Sequence, residues 1–162
     1  MGRVGELWKR INATFTRINE MPPVYPHICG VSQICVLLAV KRGEDVELAE
    51  MAGLLHDIAS LRNHDAEPYK VHGLTGLNHG EMGAEIAMEM LLEMNLTSPE
   101  ENKMICTAIR RHIYKDEIDS PFDELLKDAD VFDHGLKSIP AKNFRGYRWD
   151  KVCEELGISN CR

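Results

Sequence analysis

Histidines at 27, 56, 79 and 112 and aspartates at 57 and 130 fall on or beside the apolar faces of predicted helices. A solvated polar side chain does not belong there. Imidazole and carboxylate without thiolate form a ligand set for first-row divalent ions such as iron, manganese, cobalt, nickel or zinc, so the chemistry these residues could share is metal binding. An unpaired ionised carboxylate in place of a core leucine, as at Asp130, would cost several kcal/mol or would protonate, and a divalent cation removes that problem. Taken singly, each position has an ordinary explanation. A lone histidine on an apolar face is commonly a core residue satisfied by backbone, Asp57 could be a surface carboxylate, and Asp130 could pair with Arg110 or Arg111. The whole set, in phase with the core on separate helices, is hard to explain independently.

The helical phases carry this reading. His27 is in step with Val31, Ile34 and Leu38, one face of a helix after Pro26. In GEDVELAEMAGLLHDIAS the apolar stripe runs through Leu48, Ala52, Leu55 and Ala59, placing His56 and Asp57 at its edge, about 100° apart around the axis. His79 keeps phase with Gly83, Ile86 and Met90, His112 with Ile105, Ala108 and Ile109, and Asp130 continues the row Phe122, Leu125, Leu126, Ala129.

The elements that must position them are helical nearly throughout, without a period-two strand or an internal repeat. Val4, Leu7, Ile11, Phe15 and Ile18 predict a first amphipathic helix ended by Met21-Pro22-Pro23. Gly43 closes the second helix and Asp45 caps the third. Ser98-Pro99-Glu100-Glu101 and Ser120-Pro121-Phe122-Asp123 each set a capping serine before a proline at the first helical position. Residues 60–78 read as a long functional loop containing His64 and His72. Residues 135–148 read as a basic, turn-rich segment with Lys137, Lys142, Arg145 and Arg148, either touching phosphate or simply solvated. Met82, Met88, Met90 and Met94 are expected to pack in the core.

At 162 residues the chain fits one compact all-α domain, with the metal-binding core at about residues 25–134. A formal charge of −7 argues against tracking a nucleic-acid polymer, which requires a basic face. Cys29, Cys35, Cys106, Cys153 and Cys161 form an odd set without a CxxC pair, which suits reduced thiols in a cytoplasm, with Cys153 packing as a small apolar residue and a bridged or exposed Cys153 and Cys161 as the alternative. The opening MGRVGELWKR lacks the apolar run of a signal peptide, and no stretch approaches the roughly 20 apolar residues that span a bilayer.

The order His27, His56-Asp57, Asp130 resembles the signature of the HD-domain metal-dependent phosphohydrolases. AGLLHDIAS, NHGEMGAEIA, AIRRH and LLKDADVFD resemble its successive motifs, from about Tyr25 to Asp133. The resemblance implies a helical HD-type bundle in which His27, His56, Asp57 and Asp130 hold one metal. Asp57 would bridge to a second ion held by His79 and His112, making Asp57, His79 and His112 the candidate catalytic residues. Asp133 resembles a position that orients a ligand histidine. Many relatives have lysine soon after the His-Asp pair where this chain has Ile58-Ala59-Ser60-Leu61, and some have paired histidines where Arg111-His112 stands. The substrate-clamping cation is therefore open among Arg110, Arg111, Lys115 and Lys127.

Two such ions, about 3.5–4 Å apart, would bind a phosphoryl oxygen and lower the pKa of a water. The expected reaction is hydrolysis of a phosphate ester or phosphoanhydride of a nucleotide or another small phosphorylated metabolite, by a monomer or homodimer. The alternative is a mixed-valent di-iron oxygenase acting on a small molecule.

Overall fold

A computed structural model of the chain describes residues 2–13, 24–64, 78–137 and 146–158. Those residues form eight helices and no strand: α1 (Arg3–Asn12), α2 (Tyr25–Arg42), α3 (Val46–Leu55), α4 (Ile58–His64), α5 (Asn78–Met94), α6 (Pro99–Arg111), α7 (Pro121–Lys137) and α8 (Tyr147–Leu156). The all-α reading is thus correct. Among the described residues no helix is long and apolar enough to cross a membrane.

The helix ends are where local chemistry puts them. Gly43 adopts the left-handed conformation (φ 73°) that closes α2, and the Asp45 side chain accepts a hydrogen bond from the Leu48 amide to open α3. Ser98 and Glu101 complete a reciprocal capping box at α6. Ser120 and Asp123 do the same for α7, the Ser120 hydroxyl donating to Asp123 Oδ2 at 2.7 Å and accepting from the Asp123 amide.

Two expectations about extent need correction. The stripe through Leu48 and Ala59 is not one helix, because the chain breaks at His56-Asp57 and restarts as α4. The segment after Asp57 is not loop from residue 60, since Ile58, Ala59 and Leu61 are buried and α4 packs against α5. The remainder of that segment, with His72, lies outside the described residues, as do Phe15 and Ile18 of the expected long first helix and Lys142 and Arg145. Lys137 belongs to the end of α7, not to a loop.

α2 and α7 pack together and both meet α3, while α6 touches α3, α5 and α7, so α2, α3, α6 and α7 surround one core with α5 against α6 and α8 against α7. Leu38, Met51, Leu54, Leu55, Met90, Ile105 and Leu126 fill it, with Met88 and Met94 packed at its margin. Cys29, Cys35 and Cys106 are free thiols. Cys153 is buried in the core as expected, but it is disulfide-bonded, the bridged alternative and not the reduced thiol that was preferred.

α2 and α3 approach so closely that a Cβ on Gly53 would sit 2.6 Å from Ser32 Cα and 2.9 Å from its amide nitrogen. Backbone cannot rotate aside, so Gly53→Ala should cost near the upper end of the ~1–3 kcal/mol of overpacking. Alanine regains about 1 kcal/mol of helix propensity. The net ~2 kcal/mol corresponds to a fall in Tm of roughly 4–8 °C, measurable by thermal unfolding; an unchanged Tm would show that the two helices can separate freely.

Candidate metal centre

Each of the sequence-selected residues reaches one region. His27 comes from the first turns of α2, His56 and Asp57 from the break between α3 and α4, His79 from the start of α5, His112 from the end of α6 and Asp130 from the middle of α7. They form two groups capable of holding an ion, His27 with His56 and Asp130, and Asp57 with His79 and His112, the offered atoms of each group lying within 4.8 Å of one another.

Asp57 joins the groups. Its Oδ2 lies 3.6 Å from His56 Nε2 and 3.9 Å from His27 Nε2, while its Oδ1 lies 3.8 Å from both His79 Nε2 and His112 Nε2. One carboxylate therefore turns an oxygen to each imidazole pair. The break after Leu55 explains how adjacent residues do this: His56 at the helix end is wholly buried, whereas Asp57 begins the next turn, its carbonyl accepting from the Ser60 amide at 3.0 Å.

The donor chemistry fits cations. His56 Nδ1 donates to the Gly53 carbonyl at 2.8 Å, His112 Nδ1 to the Ile109 carbonyl at 2.5 Å, and His27 Nδ1 to Asp133 Oδ2 at 2.5 Å. In the neutral rings those commitments leave Nε2 as a bare lone pair. Yet His27 and His56 bring their Nε2 atoms within 3.2 Å of each other, and His79 and His112 do likewise. Asp130 Oδ1 lies 3.0 Å from His27 Nε2 without hydrogen-bond alignment, and it is a buried oxygen with no hydrogen-bond partner among the described residues. Buried acceptors aimed at a common point call for positive charge.

The titration behaviour follows the same geometry. Burial depresses His56, and burial, Lys115 and His56 together hold His112 down at about 3, which keeps both rings neutral and able to ligate. Burial opposes the charge on His27, but Asp130 and Asp133 outweigh it and raise the ring to about 9. Asp57 and Asp130 are pushed up by burial and pulled further down by the groups they face, the His56 and His112 rings for Asp57 and Lys115 and His27 for Asp130.

Around this region lies a pocket of about 480 Å³, lined by Asp57, His79, His112, Lys115, Asp130 and His134 and by Ile113, Val131, Gly146 and Tyr147. Of the four cations considered for the clamp, Lys115 lines it, with its ammonium against Asp130 Oδ2. The others are engaged elsewhere. Lys127 is fully buried, donating to the Glu117 carbonyl, Asp119 and Glu124; Arg111 pairs with Glu117 and Asp119, and Arg110 with Glu81. Asp130 therefore has a lysine partner, not the arginine considered from sequence.

Residues 24–135 match the HD domain family. The chain belongs to that family. Ribonuclease Y of Enterococcus faecalis is 30% identical over 124 residues, 76% of this chain and 20% of that protein. Ribonuclease Y of Listeria monocytogenes is 30% identical over 138 residues, 84% of this chain and 23% of that protein. This HD domain chain thus spans about a fifth of the length of those relatives. In fold it is similar to a protein described as a predicted HD superfamily hydrolase from an uncultured Thermotogales bacterium, with TM-score 0.67, 24% identity and coverage of 95% of this chain and 84% of that one. A Clostridium acetobutylicum protein described as a predicted HD superfamily hydrolase involved in NAD metabolism has TM-score 0.58, 22% identity and coverage of 94% of this chain and 82% of that one.

Sequence reasoning passed over two features of this HD domain. His134, one turn beyond Asp130 on α7, stacks against His27 with ring centroids 4.1 Å apart and brings its Nε2 3.3 Å from Asp130 Oδ1; its i+4 spacing from Asp130 was the available signal. Gly30 has no sequence signal beyond being a glycine inside a helix, yet a Cβ there would lie 1.9 Å from Asp133 Oδ1. Its bare backbone makes room for the carboxylate that orients His27.

Asp133 also accepts from Lys137 Nζ at 2.7 Å. Asp133→Asn keeps the shape but removes the charge that fixes the His27 proton on Nδ1, so affinity for Mn²⁺ or Zn²⁺ should fall roughly 10- to 100-fold. Metal titration measures it, and wild-type affinity in that variant would remove Asp133 from the centre.

Proposed function

We propose that this HD domain is a metal-dependent phosphohydrolase that cleaves a phosphate ester or phosphoanhydride of a nucleotide or another small phosphorylated metabolite. The observation that carries this reading is Asp57, with one oxygen turned to each of two imidazole pairs. His27, His56, Asp57 and Asp130 would hold one divalent cation, and Asp57, His79 and His112 the other. When bound, such a pair offsets the charge of a transferring phosphoryl group and acidifies a water toward hydroxide near neutral pH.

The chain's own residues supply the rest. Asp133 and the carbonyls of Gly53 and Ile109 hold the imidazoles with Nε2 facing inward, so little reorganisation precedes ligation. Lys115 sits on the pocket wall to meet the charge of the substrate. Ile113, Val131 and Tyr147 give part of the lining an apolar character suited to the organic part of a small ligand, and the volume lies within the range of small-molecule sites.

The likeness to Ribonuclease Y favours a second reading, in which the same residues cleave RNA. A net charge of −7 weighs against it, because binding to a polyphosphate backbone draws on clustered Lys and Arg.

Metal analysis of the purified protein, combined with an anaerobic screen against nucleotides, dinucleoside polyphosphates, simple phosphate esters and short single-stranded RNA, separates the possibilities. Turnover of small phosphoesters without oxygen is expected. Cleavage confined to RNA would transfer the function to the second reading, and turnover that requires both iron and oxygen would make the protein an oxygenase. Asp57→Ala and His56→Ala should abolish both bound metal and activity, whereas His72→Ala should leave metal content unchanged; full metal retention in Asp57→Ala would remove the bridging role.

A further inference from the structure

We propose that Arg148 and Tyr147, in the first turn of α8, are positioning residues that hold the main chain at Lys115 and thereby present its ammonium to an anionic group of the substrate. This rests on the phosphohydrolase reading for the nature of the anion, but the geometry stands by itself. Lys115 lies in the irregular connection between α6 and α7, where the Lys115 amide bonds the Ile113 carbonyl at 3.1 Å and the Glu117 amide bonds the Tyr114 carbonyl at 3.2 Å. No helix aims its side chain. Its direction depends on what fixes its peptide group at one end and on Asp130, against whose Oδ2 the ammonium sits, at the other.

That fixing comes from α8. Arg148 Nε donates to the Lys115 carbonyl at 2.9 Å and Tyr147 Oη donates to the same carbonyl at 3.2 Å. Arg148 Nη2 reaches the Glu117 carbonyl at 3.3 Å, which Lys127 Nζ also bonds at 2.8 Å. The guanidinium is itself immobilised, since Nη1 bonds Glu124 at 2.8 Å and Asp128 at 2.7 Å on α7, and the group lies 5.0 Å from the centroid of the Tyr147 ring. One planar group, 2% exposed, ties α7, α8 and the Lys115 connection together.

A plain interior ion pair does not account for this arrangement. Asp128 is also paired with Arg42 at 2.8 Å and with Lys151 at 2.7 Å, so its charge is met without Arg148. What Arg148 adds is a fork that bonds two carboxylates and two main-chain carbonyls at once. Lysine in its place keeps a cation beside Glu124 and Asp128 but lacks that fork.

The test is a double-mutant cycle on the full chain with metal bound, using Arg148→Lys, Tyr147→Phe and Lys115→Met singly and each of the first two combined with Lys115→Met. Inorganic phosphate affinity is read by calorimetry and KM and kcat on a phosphoester, alongside metal content and Tm. Arg148→Lys should weaken phosphate binding and raise KM roughly tenfold with kcat changed by less than about threefold, a loss typical of a displaced positioning group. Tyr147→Phe should give a smaller change in the same direction, with metal content unchanged in both. In the Lys115→Met background neither substitution should weaken phosphate further, because the group they position is gone. Multiplicative losses in that background overturn the proposal, as does a lowered Tm with wild-type phosphate affinity, or a wild-type protein that binds no phosphate. Inactivity of the wild type toward every phosphoester, with the cycle still non-additive in phosphate binding, sinks the hydrolase reading and leaves the positioning role standing.

Discussion

Everything at the centre of this protein depends on four imidazoles that turn Nε2 toward one another in two pairs. Three of the rings have already spent Nδ1 on a carbonyl or carboxylate, and their Nε2 atoms converge with those of their neighbours at 3.2 Å. Wherever both facing nitrogens are bare, their lone pairs repel, and a cation between them removes that repulsion. The remaining architecture can be understood as the means of holding that unfavourable convergence until a positive charge resolves it. Backbone carbonyls three residues before His56 and His112 and the Asp133 carboxylate fix the rings. The contact between α2 and α3 at Gly53 brings the first pair together, and α6 against α5 brings the second.

α7 is the axis of the electrostatics. Asp123, Lys127, Asp128, Asp130 and Asp133 are all buried on this one helix. Three of its carboxylates meet donors from elsewhere: Asp128 meets Arg42, Arg148 and Lys151, Asp130 meets Lys115, and Asp133 meets His27 together with Lys137 of α7 itself. Buried ion pairs contribute little net stability compared with well-packed apolar residues. Their service here is registry, since a rotation of α7 by one residue would leave several carboxylates buried and unpaired at once.

Much of this was legible in the residues. Helical phase turned His27, His112 and Asp130 into the core and His79 to the part-buried pocket wall because side chains three and four apart share a face whatever the tertiary fold. Capping serines and Gly43 marked helix ends because they act on backbone groups within one turn. Phase misled at His56-Asp57, where the break in the helix lets two adjacent side chains serve different partners. It also could not rank Lys115 above Lys127. Lys127 lies on the regular helix and looked as well placed, yet its ammonium turns to Asp119 and Glu124, while Lys115 sits in an irregular connection with no period to read. Arg148, read as part of a basic segment either touching phosphate or simply solvated, is buried because the α7 carboxylates Glu124 and Asp128 receive it.

By itself, then, the amino-acid order determined the helices, their ends and the polar residues on their apolar faces, since hydrogen bonding and side-chain periodicity within a helix are settled over a few neighbouring positions. Only the tertiary structure decided that Asp57 turns one oxygen to each histidine pair, that Asp133 and Gly30 make a seat for His27, and which lysine reaches the pocket. Those outcomes are distances between side chains remote in sequence, fixed by how helices pack, and no local pattern encodes them.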